Sequence, residues 1–168
     1  MLNFNEEYII FLDIDGVMND SKREPDNFLP EAVSVLNTLF NKYNAKVVLS
    51  SSWREYFTFN DLKDLFEQNG LLIKIIDKTP IYICDKKINK ALTLEEISNL
   101  DIQTDIGRDF EIMNYIKVHN ICHYVILDDF DFNDEELKKH LVQTQYWGDN
   151  TGLRWHHLEK IEEIFKSS

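Results

Sequence analysis

Two pairs of aspartates follow apolar segments of this 168-residue chain and could carry metal, acid–base or nucleophilic chemistry. Asp13 and Asp15 come just after one such segment, and Asp128 and Asp129 come just after another. Clustered carboxylates repel one another, because two like charges about 4 Å apart cost roughly 4 kcal/mol at an effective dielectric of about 20. The four therefore need a counter-ion, and hard oxygen ligands select Mg²⁺ over Zn²⁺.

A hydroxyl cluster and a cation accompany these carboxylates. Ser50, Ser51 and Ser52 end another apolar segment, and Arg108 begins a segment with helical spacing. Either aspartate pair taken alone favours a simpler role, as a turn cap or as the start of a loop. Both pairs together, with a hydroxyl and a cation, favour a metal and phosphate site instead.

Short apolar segments rich in β-branched residues predict the strands that position these groups. Their hydrophobicity is continuous, as in strands buried on both faces of a parallel sheet. The predicted strands are Tyr8–Leu12, Lys46–Ser50, Leu72–Ile76, Tyr124–Leu127 and, as a fifth, His140–Thr144. Amphipathic helices are predicted over Pro30–Tyr43, Asn60–Asn69 (capped by Asn60), Thr93–Asn99, Arg108–His119, Asn133–Lys139 and Leu153–Phe165. This alternation predicts an α/β fold around a central, mostly parallel five-stranded sheet.

The predicted sheet brings the chemical groups to one edge. Ligands of open α/β sheets bind in the crevice outside the carboxyl ends of the strands. Asp13, Ser50 and Asp128 each stand where a predicted strand ends, and Arg108 opens the helix that leads into the fourth strand. We therefore expect the carboxylates, the hydroxyls and the cation to converge.

Two segments lack a regular pattern and flank this edge. Residues 17–29 are polar, include a proline and are predicted to form a flap beside the first strand. Residues 77–107 contain one short helical signal and are predicted to form a small lid or insert, since connections of this length are usually functional. Both are too short for a large independent cap, so we expect a single domain over residues 1–168 with an open crevice.

Charge and composition exclude several classes of function. The chain has 18 basic and 30 acidic side chains and a net charge of −12, which argues against extended nonspecific nucleic-acid binding. Its longest apolar stretches are strand-sized and fall short of the ~20 residues that cross a bilayer. Cys84 and Cys122 form no CxxC pair and fit two buried thiols in a reduced compartment. These features predict a cytoplasmic protein that does not span a membrane.

Four segments resemble the four motifs of the haloacid dehalogenase-like (HAD) phosphohydrolases. The segment Leu12–Val17 resembles their first motif, Val47–Ser50 their second and Val125–Asp129 their acidic fourth, while Arg108 stands where their third motif has a basic residue. A finer similarity is to the small HAD domains associated with "Swiss Army Knife" RNA-repair proteins. It rests on Val48–Arg54, Thr79-Pro80, Arg108 with Glu111-Ile112, the Asp128-Asp129 pair, Leu141–Thr144 and Thr151–Leu153.

The resemblance implies a Rossmann-like three-layer sandwich and a role for each aspartate. Asp13 would attack phosphorus and form an aspartyl-phosphate. Asp15 would protonate the leaving oxygen and then deprotonate the hydrolytic water. Mg²⁺ would be held by the Asp13 carboxylate, the Asp15 backbone carbonyl and Asp128, with Asp129 acting through water.

The resemblance also implies a hydroxyl and a cation at the phosphoryl group. The Ser50 hydroxyl and nearby backbone N–H groups would hold phosphoryl oxygens, and Arg108 would offset negative charge at the nucleophile. The third motif is most often lysine in this superfamily, so Lys78 competes with Arg108 for that role. The helix-opening position favours Arg108.

Four further residues are assigned to substrate binding, namely Gly16, Ser51, Arg54 and Lys78. Ser51 equally fits a hydroxyl that caps the turn after its strand. Trp53 could stack on substrate, but a tryptophan directly after a strand more often belongs to the core.

The sequence therefore predicts a Mg²⁺-dependent phosphatase that acts on a phosphorylated nucleotide, a nucleic-acid end or a phosphoprotein. The alternative is a catalytically silent HAD module that binds metal or phosphate as a sensor or partner-binding domain. A receiver-type signalling domain fits less well. Receivers have a phosphoacceptor aspartate on the third strand and a lysine after the fifth, and neither residue appears in the expected place in this sequence. The oligomeric state stays open.

Overall fold

A five-stranded parallel sheet forms the centre of the computed structural model, which describes residues 6–81 and 107–167. Within these residues the strands are β1 (Tyr8–Leu12), β2 (Lys46–Leu49), β3 (Ile75–Lys78), β4 (His123–Asp128) and β5 (Leu141–Gln143). They lie in the order β3-β2-β1-β4-β5, and each neighbouring pair is parallel. The predicted α/β fold and its five-stranded sheet are confirmed.

Helices cover both faces of this sheet. Within the described residues they are α1 (Pro30–Tyr43), α2 (Trp53–Tyr56), α3 (Phe59–Gln68), α4 (Arg108–His119), α5 (Glu135–His140) and α6 (Leu158–Ser167), the last preceded by a 3₁₀ turn at Trp155–His157. Ile10 and Leu12 of β1 belong to the core that includes residues of α1 and α6, whereas Ile9 and Phe11 belong to the core that includes residues of α4 and α5. Alternate residues of β1 thus point to opposite faces, and the three-layer arrangement is confirmed.

The third strand begins three residues later than predicted. We predicted it over Leu72–Ile76, but Leu72 is 55% exposed and the strand is Ile75–Lys78. Asp77 pairs with Val48 and Lys78 with Leu49 after an irregularity in register. Since β3 is an edge strand and Ile76, Asp77 and Lys78 are only half-buried, polar residues can occupy it and the apolar pattern misplaces its ends.

Three helix starts also differ from the prediction, and one of them is that of α5, which begins at Glu135 rather than Asn133. Helix α3 is capped by Thr58 rather than Asn60, because the Asp61 amide donates to the Thr58 hydroxyl at 3.2 Å and the Thr58 amide donates to the Asp61 carboxylate at 3.0 Å. The closing α6 begins at Leu158, since the preceding turn is 3₁₀. The short α2 after β2 was not predicted at all, and Cys122, which was expected to be buried, is exposed.

The loop over residues 17–29 contains no helix or strand until α1 begins. Its ends are tied together, since the Leu29 amide donates to the Met18 carbonyl at 2.7 Å, and the Leu153 amide donates to the Val17 carbonyl at 2.8 Å. The predicted helix Thr93–Asn99 and most of the predicted insert lie outside the described residues. Over residues 6–81 and 107–167, every helix is too short or too polar to cross a bilayer.

Candidate active site

The strand ladder continues one residue past β1 and so places Asp13 at the centre of the sheet edge. The Asp13 amide donates to the Leu127 carbonyl at 3.0 Å on one side, and the Ser50 amide donates to the Leu12 carbonyl at 3.0 Å on the other. Asp13 therefore lies between Ser50 after β2 and Asp128 at the end of β4. This is the convergence that parallel strands with polar carboxyl ends predict.

Three carboxylates meet at this point. Asp13, Asp128 and Asp129 each offer an oxygen, and these atoms lie within 4.8 Å of one another. Asp13 and Asp128 are buried, and Asp129 is half-buried. One guanidinium nitrogen of Arg108, Nη1, donates to Asp13 at 2.5 Å and to Asp128 at 2.6 Å. A single cationic nitrogen thus bridges the two buried carboxylates.

The carboxylates of this cluster outnumber its guanidinium, and burial together with this excess of negative charge shifts the pKa values of Asp128, Asp129 and Arg108. Burial raises the pKa of Asp128 to about 7, and the nearby charge of Asp13 acts in the same direction. Burial and Asp13 also raise the pKa of Asp129. Burial alone would lower the pKa of Arg108, but Asp13 and Asp128 outweigh it and raise that pKa. Three carboxylates against one guanidinium leave an excess that fits a divalent cation.

The donor atoms of this cluster also fit a hard cation. All three ligand groups are carboxylates, and no histidine or cysteine belongs to the cluster within the described residues. The second oxygen of Asp13 accepts from the Ile14 amide at 2.8 Å and that of Asp128 from the Phe130 amide at 2.9 Å, which fixes both carboxylates. Oxygen-only ligands held in this way match Mg²⁺ better than Zn²⁺.

Asp15 does not belong to this carboxylate cluster within the described residues, and its carboxylate accepts hydrogen bonds from two side chains. The indole N–H of Trp53 donates to one oxygen at 2.8 Å, and the Asn19 side-chain amide donates to the other at 2.9 Å. Asn19 also accepts from the Gly16 amide at 3.2 Å and donates to the Pro25 carbonyl at 2.9 Å. These hydrogen bonds orient the Asp15 carboxylate, while its acid–base role and its backbone contact to metal stay predictions.

The hydroxyl of Ser50 lies at the site without a hydrogen-bond partner among the described residues. The residue is fully buried. A buried hydroxyl without a partner is costly unless a ligand satisfies it, so its position fits the predicted contact to a phosphoryl oxygen. Ser51 is also buried, and its Oγ accepts from the Trp53 amide at 3.4 Å, which matches the turn-cap alternative.

The chain's relationship to other proteins agrees with this geometry. The family described as the HAD domain in Swiss Army Knife RNA repair proteins matches residues 9–158. The chain belongs to this HAD family. No curated protein matches this HAD domain, and no solved structure matches it. The resemblance predicted from the motif residues is confirmed at the level of the family.

Arg54 supports the backbone of this HAD domain and is not oriented towards a substrate. It is 5% exposed, and its guanidinium donates to the Ser50 and Ser51 carbonyls, to the Thr79 carbonyl at 3.1 Å and to the Glu111 carboxylate. A side chain committed to four acceptors holds the loop after β2 in place. The predicted substrate contact for Arg54 does not fit this position.

Lys78 does not reach the carboxylates of Asp13 and Asp128 in this HAD domain. Its ammonium donates to the Arg54 carbonyl at 3.1 Å, whereas Arg108 contacts both Asp13 and Asp128. Between the two cations considered for the third motif, the geometry favours Arg108. The predicted substrate-binding role of Lys78 remains a prediction.

Thr144, directly after β5, connects the end of β4 to the loop after β1 in this HAD domain. Its amide donates to the Asp128 carbonyl at 2.9 Å and its buried hydroxyl donates to the Gly16 carbonyl at 2.6 Å. Sequence reasoning placed Thr144 in a strand and Trp53 in the core, and it did not single out Asn19. The available signals were the position of Trp53 directly after the serine cluster and of Asn19 four residues after Asp15.

Proposed function

We propose that this HAD domain is a Mg²⁺-dependent phosphatase that hydrolyses a phosphomonoester through an aspartyl-phosphate on Asp13. The observation that carries the proposal is the setting of Asp13, which is buried, is hydrogen-bonded to Arg108 and lies next to Ser50, whose hydroxyl has no partner among the described residues. A nucleophile, a charge-compensating cation and a free donor at one point are what phosphoryl transfer requires.

The proposed reaction proceeds in two displacements at phosphorus. An Asp13 oxygen forms a bond to phosphorus while the bond to the leaving oxygen breaks, and Asp15 gives its proton to that oxygen. Asp15 then takes a proton from water, the water oxygen bonds to phosphorus, and the bond from phosphorus to Asp13 breaks. The products are the alcohol and inorganic phosphate, and both aspartates return to their starting states.

The other residues act by position and charge. Arg108 offsets the charge that Asp13 and the transferring phosphoryl group bring together, and Ser50 donates to a phosphoryl oxygen. The carboxylates of Asp13, Asp128 and Asp129 would hold Mg²⁺. When bound, the ion supplies positive charge that stabilises the phosphoryl oxygens.

Phosphate release from 4-nitrophenyl phosphate tests the proposal. The wild-type protein with Mg²⁺ is compared with Asp13→Asn and with Asp131→Asn, a matched change at an exposed aspartate after β4. We expect Asp13→Asn to lose at least about a thousandfold in rate and Asp131→Asn to keep the wild-type rate. Equal rates for wild type and Asp13→Asn would remove Asp13 as the nucleophile.

The substrate class and the alternative need separate measurements. Candidate substrates are a nucleotide, a nucleic-acid end or a phosphoprotein, with a cytoplasmic location proposed for the reaction. A silent module would bind Mg²⁺ and inorganic phosphate in calorimetry yet release no phosphate from any ester. Turnover in the wild type that Asp13→Asn abolishes decides for the enzyme.

A further inference from the structure

A groove of about 690 Å³ lies between the loop over residues 17–29 and helices α2 and α3. Trp53 lines this groove and donates its indole N–H to Asp15. Pro25 lines it as well, and its carbonyl accepts from Asn19, the second donor to Asp15. Two lining residues of the groove are thus linked to the Asp15 carboxylate by hydrogen bonds, Trp53 directly and Pro25 through Asn19. We call this feature the Trp53 groove.

The proposed reaction gives the Trp53 groove a role. Asp15 protonates the leaving oxygen, so that oxygen must lie within hydrogen-bond reach of Asp15. The remainder of the leaving group then extends from Asp15 into the space next to it. Because Trp53 borders both that space and Asp15, the groove is where the leaving group would lie.

The groove presents a flat aromatic surface. The rings of Trp53 and Phe57 are stacked, with centroids 5.1 Å apart and an interplanar angle of 25°. Phe57 remains 44% exposed, so part of this aromatic pair is accessible to a ligand. Stacking on such a surface suits a planar ring and contributes about 1–3 kcal/mol for a nucleobase.

Charge in the groove selects against a second phosphate. Its described lining residues include Glu24, Asp26, Asp61 and Asp64 but no lysine or arginine. Asp61 is occupied by the cap of α3, while the other three carboxylates are exposed at the groove. Carboxylates repel a phosphodiester and accept hydrogen bonds from exocyclic amino groups of bases.

We propose that the Trp53 groove binds the leaving group, and that this group is a nucleoside with an amino-bearing base and no further phosphate. The inference rests on the proposed phosphatase function and deepens it. Among the candidate substrates it selects a nucleoside monophosphate over the phosphorylated end of an oligonucleotide.

The test compares three phosphorylated substrates with Mg²⁺ present: the esters AMP and 5′-phosphorylated ApA, and the acyl phosphate acetyl phosphate, which has no ring to place in the groove. We expect kcat/KM for AMP to exceed that for 5′-phosphorylated ApA by about tenfold or more at low salt. Phe57→Ala should lower kcat/KM for AMP about tenfold through KM and leave acetyl phosphate unchanged. Tyr56→Ala is the matched control, since Tyr56 directly precedes Phe57, is 78% exposed and does not line the groove.

A second part of the test removes negative charge from the groove. Glu24→Gln combined with Asp64→Asn should raise kcat/KM for 5′-phosphorylated ApA about fivefold relative to AMP, and added salt should reduce the difference because it screens exposed charges. Equal hydrolysis of AMP and 5′-phosphorylated ApA by the wild type, or an unchanged AMP KM in Phe57→Ala, would overturn the proposal.

A binding measurement separates this inference from the phosphatase itself. Calorimetry measures AMP binding to Asp13→Asn, with and without the additional Phe57→Ala change. Affinity that falls about tenfold with Phe57→Ala supports the groove even where no ester is hydrolysed. Hydrolysis of acetyl phosphate with no AMP binding would retain the phosphatase and reject the groove.

Discussion

A Cβ atom on Gly16 would lie 2.6 Å from the Cγ of Asp129. Gly16 also has φ +74°, a conformation that costs a residue with a side chain about 1 kcal/mol. The loop after β1 therefore approaches the end of β4 so closely that only glycine leaves the Asp129 carboxylate in place.

Gly16→Ala should lower the proposed phosphatase activity by displacing Asp129. Gly70→Ala is the matched control, because Gly70 has φ +78° but no atom within 4 Å of its added Cβ. Both variants should lose similar stability from backbone strain, but only Gly16→Ala should need more Mg²⁺ for half-maximal activity. Parallel Mg²⁺ titrations measure this, and identical half-saturation in the two variants would contradict the contact.

The bridge from Arg108 to two aspartates makes a second prediction. One nitrogen forms both hydrogen bonds, so an ammonium can replace it in part. We expect Arg108→Lys to keep activity within about tenfold and Arg108→Met to lose about a thousandfold, since the latter leaves two buried carboxylates without a cation. Steady-state kinetics with 4-nitrophenyl phosphate compares them, and equal losses would mean that the guanidinium fork itself is needed.

The central part of the site could be predicted from sequence, and its edges could not. Asp13 and Asp128 follow apolar strands, and the carboxyl ends of neighbouring parallel strands must meet, so their proximity follows from the pattern alone. The contact from Trp53 to Asp15 depends on the four-residue α2, which no periodicity reveals. The contact from Asn19 to Asp15 depends on the path of an irregular loop.

Arg54 illustrates a second reason why part of the site could not be predicted from the sequence. Sequence position places it at the site, but its long side chain can point towards substrate or into the protein. Its direction is set by Glu111, 57 residues away in the chain, and by carbonyls of the loop that it supports. Such a pairing is a property of tertiary packing and has no local signature.

The buried pair of Arg54 and Glu111 should contribute strongly to stability. Both side chains are about 5% exposed or less, and removing one partner leaves the other charged and buried, which typically costs about 3–5 kcal/mol. We expect Glu111→Gln to lower the free energy of unfolding in urea by about this amount. Arg54→Met combined with Glu111→Leu should recover part of the loss, and additive losses would contradict the pairing.

Asp128 should make the metal-free protein less stable as the pH rises. Burial, together with Asp13, raises its pKa from 3.8 to about 7 in the folded state. Between these values the unfolded chain has lost the proton that the folded chain keeps, so this group's contribution to stability is full below pH 3.8 and is lost as the pH rises to about 7. Thermal unfolding in EDTA should show this decline, and Asp128→Asn should reduce it. Added Mg²⁺ should stabilise the wild type but not the variant, whereas equal pH profiles would exclude Asp128 as the cause.

The hydrogen bond from Trp53 to Asp15 predicts a dependence on the leaving group. Trp53→Phe keeps an aromatic ring against Phe57 but removes the N–H that orients the Asp15 carboxylate. A poor leaving group such as an alkoxide needs the proton from Asp15, whereas 4-nitrophenolate leaves readily without it. We therefore expect kcat to fall about tenfold or more for an alkyl phosphate and only slightly for 4-nitrophenyl phosphate. Trp155→Phe, at a half-exposed tryptophan of the 3₁₀ turn, should change neither rate. Equal losses of kcat on both esters would show that Trp53 acts on the fold of the site rather than on the position of Asp15.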